Sequence, residues 1–161
     1  MNQLLRFFPW KRSIYLSAIV LVLLIVFSFY GLYTNQFYFL KPDNYIFPLL
    51  TIAHFIFLYV LWFKVTENEV ADPQMRNLEY GLYLIFLLYI FKLIESIYVL
   101  MSYSLYENYS IPDTFLPFGS LIVGLYFILL GLTLLTFYYR KSLVGAYKFD
   151  DMGHHIDSWD Q

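Results

Sequence analysis

The chain has 161 residues, of which 60% are hydrophobic, 23% aromatic and only 14% charged. A soluble domain carries about 25% charged residues, so this composition excludes a water-exposed globular protein and, being so apolar, also excludes disorder. A net charge of −2 leaves no basic surface for nucleic acid, and the absence of cysteine removes disulfides, thiolate nucleophiles and cysteine-held metals.

Residues 1–13 begin MNQLLRFFPWKR, mixing Leu, Phe and Trp with Arg6, Lys11 and Arg12. Such a mixture predicts a segment lying on an anionic cytoplasmic membrane surface. The apolar run that follows, 14–33, is longer than the roughly 7–15 residues of a signal-peptide core, and no small-x-small cleavage site follows it. It is expected to be a retained anchor.

Crossing a hydrocarbon layer about 30 Å thick takes about 20 mostly apolar helical residues. The stretches 14–33, 45–63, 81–103 and 115–137 meet this requirement. They do not alternate in polarity as barrel strands do, so helices are the only spanning structure open to them. The predicted fold class is an all-α membrane protein of four transmembrane helices. The connections are short, which predicts sequential neighbours in an up-down-up-down bundle. Residues 138–161 are expected to form a cytoplasmic tail.

Lys and Arg are retained on the cytoplasmic side of membranes. Arg6, Lys11, Arg12, Lys64, Arg76, Arg140, Lys141 and Lys148 fall on one side of the four spans, and only Lys41 falls on the other. Both termini are therefore expected in the cytoplasm, with a bacterial inner (plasma) membrane as the expected location. Phe37, Tyr38, Phe39, Tyr106 and Tyr109 in the opposite loops read as an aromatic belt at headgroup level. Pro48 and Pro117 sit near span starts, where a missing N–H costs little.

Three ionisable residues fall inside spans: His54, Lys92 and Glu95. From the 1.5 Å helical rise, all lie roughly 12–16 Å below the non-cytoplasmic ends of their spans. Lys92 and Glu95 are i and i+3, and Ser96 and Thr51 widen the polar stripe. A charge at mid-bilayer costs about 2.5–3.5 kcal/mol on the insertion scale, so this stripe is expected to face other helices, with a His54–Glu95 hydrogen bond beside Lys92. Two readings stay open. The cluster either holds helices or subunits together, or serves as a proton, ion or ligand site, since these groups titrate near neutral pH when desolvated.

Ser120, Gly124 and Gly131 fall on one face of the fourth span, a pattern that predicts close helix packing, within the chain or across a dimer seam. In the tail, His154 and His155 with nearby aspartates are weak metal-ligand candidates, because their spacing matches no established zinc pattern. There is no G-x-S-x-G elbow, P-loop, H-E-x-x-H or dinucleotide fingerprint, and no span contains an Asp. No cofactor and no catalytic residue are therefore expected. The first expectation is a non-catalytic subunit or assembly factor of a larger membrane complex, whose partners are the lipid bilayer and other membrane chains or copies of itself. The alternative is a small oligomeric proton- or ion-coupled transporter or channel using His54, Lys92 and Glu95.

Overall fold

The four apolar runs form four long helices in the computed structural model, which describes residues 9–106 and 111–147. They are α1 (Trp10–Ser28), α2 (Ile46–Thr66), α3 (Pro73–Met101) and α4 (Phe115–Tyr139). Among the described residues, four helices are long and apolar enough to cross a membrane. Of the expected interfacial segment, residues 1–8 lie outside the described residues, and helix α1 already includes Trp10–Ser13.

Helix boundaries depart from the hydropathy limits for local chemical reasons. α1 ends at Ser28 because the chain then turns into a two-stranded hairpin, β1 (Tyr30–Gly31) pairing antiparallel with β2 (Gln36–Phe37). Gly31 is required there: a Cβ would come within 2.6 Å of the Tyr38 ring. α3 begins eight residues before the apolar run suggests. Asp72 caps it, accepting the Met75 N–H at 2.7 Å, and Pro73 occupies the first turn, where its missing N–H is harmless. The Asp72-Pro73 step is thus a helix start. Lys64 at the end of α2 bridges both Glu69 and Asp72 at 2.8 Å and ties down the connection.

α1 packs on α2 and α4, and α3 packs on the same two, so the helices close a ring around a shared core. That core holds Leu21, Leu24, Phe57, Leu61, Met75, Leu82, Tyr89 and Leu129, each essentially inaccessible. The Tyr33 hydroxyl ties the α1–α2 connection to the end of α3 through Ser102 at 2.7 Å, and within that connection Ser28 donates to the Asn44 carbonyl at 3.2 Å. Outward positions carry Ile19, Val22, Leu49, Ile52, Leu84, Leu87, Phe127 and Leu134, all exposed. Helices apolar on both faces suit a hydrocarbon solvent and point to a membrane location.

The packing expectation for α4 needs correction. Ser120 is exposed and donates to the Pro117 carbonyl, and a Cβ on Gly124 or Gly131 would meet nothing within 4 Å. These small residues do not draw helices together within the chain. Gly119 does: its missing side chain admits Leu100 of α3, which a Cβ would meet at 2.8 Å.

Candidate functional site

His54 belongs to the inward stripe of α2, with Phe47, Thr51, Leu58 and Leu61 at helical spacing. It is fully buried. Its Nδ1 lies 3.1 Å from the Tyr89 hydroxyl of α3, and the two rings stack with centroids 5.8 Å apart. Its Nε2 has no hydrogen-bond partner among the described residues. Thr51, also buried, donates to the Phe47 carbonyl at 2.7 Å. The expected His54–Glu95 bond is replaced by His54–Tyr89.

Lys92 and Glu95 do pair, Nζ to Oε2 at 2.7 Å, but with each other and at the bundle's rim. Their side chains are 46% and 60% exposed. The inward stripe of α3 is Leu82, Ile85, Tyr89 and Leu93, and Lys92 and Glu95 fall outside it. Ser96 donates to the Lys92 carbonyl at 2.7 Å, a bond to the preceding turn. The α3 part of the polar stripe expected to face other helices is thus turned outward, while Thr51 and His54 of α2 face the core.

Both charged groups border a cavity of about 220 Å³, whose other polar lining includes Ser28, Asn44, Ser96 and Tyr126. Tyr126 of α4 is buried and lines this cavity, and Tyr89 lines a second cavity of about 120 Å³ together with Phe47, Lys92 and Glu95. The Phe47 ring packs on Tyr89 at 5.7 Å and on Tyr126 at 5.9 Å. Tyr89, which borders a cavity with Glu95 and is bonded to His54, therefore leads from the rim into the core.

A second polar centre is absent from the sequence reading. Glu79 of α3 is buried, and its Oε1 accepts both the Arg140 guanidinium and the Tyr83 hydroxyl at 2.7 Å. Its Oε2 accepts the Tyr147 hydroxyl. After α4 the backbone widens into a π turn over Arg140–Val144, and Gly145, at φ +91°, reverses the chain so that Tyr147 folds back. Arg140 also donates to the Gly145 carbonyl at 3.2 Å and lies 4.6 Å above the Tyr147 ring. Burial and the bond to Glu79 push the Tyr147 phenol above its ordinary pKa. Glu79 reads as loop because hydropathy starts the third span two residues later. Counting forward from the Asp72 cap sets it on the stripe of Met75, Leu82 and Tyr89.

Residues 140–147, expected to belong to a cytoplasmic tail, are thus built into the bundle. His154 and His155 lie outside the described residues. Among the described residues no group of three or more His, Cys, Asp or Glu side chains could hold a metal ion. No protein-family model matches the chain, and neither curated proteins nor solved structures show a significant similarity to it.

Proposed function

We propose that this chain is a non-catalytic membrane subunit or assembly factor, and that it docks onto another membrane chain through the α3 face bearing Lys92 and Glu95. In this reading the bundle crosses a bacterial inner membrane up-down-up-down, with both termini in the cytoplasm, as the Lys and Arg distribution expects.

The observation that carries the reading is the outward exposure of an ion pair on a spanning helix. Lys92 and Glu95 lie about 14 Å and 9 Å from the Met101 end of α3. At that depth lipid gives a charged group almost no solvation, and a few kcal/mol per residue is the usual cost. A partner helix with polar groups offsets that cost. α3 also buries the smallest share of its apolar stretch of the four helices, so it has the most surface left for a partner. The test is co-purification in mild detergent, comparing the wild type with the Lys92→Leu, Glu95→Leu double variant. Loss of a stoichiometric partner, with the variant still folded, supports the reading.

The transporter reading retains one supporting observation, the link through Tyr89 from a cavity beside Glu95 to His54. Its original form, a direct His54, Lys92 and Glu95 cluster, does not: Tyr89 takes the His54 bond.

A further inference from the structure

Every helix contributes a buried polar side chain to one level of the core. Ala18 of α1 and Phe55 of α2 line the same surface hollow, so Ser17 and His54, each one residue earlier and fully buried, share a level. Phe57 packs against Phe137 at 6.4 Å and Phe47 against Tyr126 at 5.9 Å, which ties α2 to α4 at two points. His54 and Thr133 then lie about one turn in from the first contact. Tyr89 is bonded to His54. Ser17, His54, Tyr89 and Thr133 form a polar layer where an apolar bundle would place Leu.

From this layer the buried polar positions continue toward one end of the bundle. Ser13 lies one turn from Ser17 on α1, Thr136 follows Thr133 on the inward stripe of α4, and buried Arg140 opens the π turn just beyond. Arg140 meets Glu79. In the other direction Tyr89 and Tyr126 each border a cavity that Lys92 and Glu95 also line. Along α3, Glu79 and Glu95 are about 24 Å apart, most of the thickness of a hydrocarbon core.

His54 Nε2, Ser17 Oγ and Ser13 Oγ are buried and have no hydrogen-bond partner among the described residues. A buried polar atom left unsatisfied costs about 1–3 kcal/mol. Folded proteins satisfy such atoms with internal water. Thr133 and Thr136 spend their hydroxyl protons on the preceding turn, at 2.7 and 2.8 Å, and keep their oxygens as acceptors.

We propose that this core is a proton pathway, with His54 as its central relay between the Glu95 cavity and the Glu79–Arg140 centre. This goes beyond the docking role and does not depend on it. The transferred species is the proton alone, so no oxidant, reductant or cofactor is involved. A proton arriving from the cavity binds the Tyr89 oxygen as the Tyr89 hydroxyl gives its own proton to His54 Nδ1. The imidazolium releases a different proton from Nε2, through water held by Ser17 and Ser13, toward Glu79. Return of the His54 tautomer and the Tyr89 hydroxyl to their starting orientation resets the path. Lys92 stays paired to Glu95 at the cavity mouth and takes no part in the relay.

The test is proton flux through the full chain in vesicles of phosphatidylethanolamine and phosphatidylglycerol, loaded with a pH-sensitive dye and driven by a potassium gradient with valinomycin. Wild type should acidify or alkalinise the lumen faster than protein-free vesicles, in the direction the potential dictates. Tyr89→Phe keeps the ring and its packing while removing the hydroxyl, and should lower the protein-dependent rate about ten-fold or more. His54→Phe should do the same, and Ser17→Ala should give an intermediate rate. Circular dichroism and elution volume identify a misfolded variant, in which case Tyr89→Phe decides. A wild-type rate equal to that of protein-free vesicles, or a folded Tyr89→Phe as fast as wild type, overturns the proposal.

Discussion

Glu79 and Arg140 stand 61 residues apart in the chain and 2.7 Å apart in space, both buried. Their pairing joins the start of α3 to the residue following α4, and two tyrosines complete the carboxylate's hydrogen bonds. The Lys92–Glu95 pair has the same length but stands exposed on one helix. The two pairs are therefore expected to behave differently when broken.

Removing one partner of a buried ion pair leaves an uncompensated charge, at about 3–5 kcal/mol. Glu79→Gln and Arg140→Leu should each lower the thermal midpoint in detergent by several degrees or more. Lys92→Leu with Glu95→Leu should leave it nearly unchanged. Differential scanning fluorimetry on the purified variants checks both.

Tyr147→Phe removes one hydrogen bond to a buried carboxylate and should cost about 1–2 kcal/mol. The Tyr147 phenol is held above its ordinary value in the folded state, so its contribution is complete below about pH 10 and is lost as pH rises through the folded value. Wild type should lose stability more steeply than Tyr147→Phe in this alkaline range. Thermal midpoints at a series of alkaline pH values make the comparison.

Asp72 caps α3 and bridges Lys64. The Lys64 ammonium, then the Met75 N–H, holds the Asp72 carboxyl below the usual range. Its depressed pKa means stabilisation present above the ordinary aspartate value of about 3.9 and lost as pH falls through the folded one. Asp72→Ala should cost about 1 kcal/mol through the lost cap. Asp72→Asn keeps the cap and loses only a half-exposed bridge worth about 0–1 kcal/mol. Midpoints at neutral and acid pH separate the two.

Gly119→Leu places a side chain against Leu100, where even a Cβ comes within 2.8 Å, and overpacking of this kind costs about 1–3 kcal/mol. Gly131→Leu points into open space and should be tolerated. Expression level and thermal midpoint of the two variants should diverge accordingly.

The four long apolar helices are legible in the sequence because apolar runs of that length have few other homes. The start of α3 is not legible from hydropathy, since its first two turns carry Gln74, Arg76, Asn77 and Glu79. The cap at Asp72 and Pro73 marks it instead. Depth was easier to read than rotation. His54 and Tyr89 do meet across α2 and α3 in the core, but which residues of α3 face inward is hidden. Its inward Leu82, Ile85 and Leu93 do not differ in hydropathy from its outward Leu84, Leu87 and Ile94. Without that contrast, Lys92 and Glu95 could not be set on the rim. Glu79 and Arg140 were obscured because charges flanking a span resemble solvated anchors, and only the reversal at Gly145 brings Tyr147 back over them.

The measurement that tests the docking account most directly is a mild-detergent pull-down of the tagged chain from its native membranes, run beside the Lys92→Leu, Glu95→Leu double variant and resolved by size and mass spectrometry. The account predicts that wild type retains a different membrane chain in fixed stoichiometry, and that the double variant, equally abundant and equally folded, loses it. A wild-type chain that elutes alone or only with copies of itself, or a double variant that keeps its partner, would contradict it.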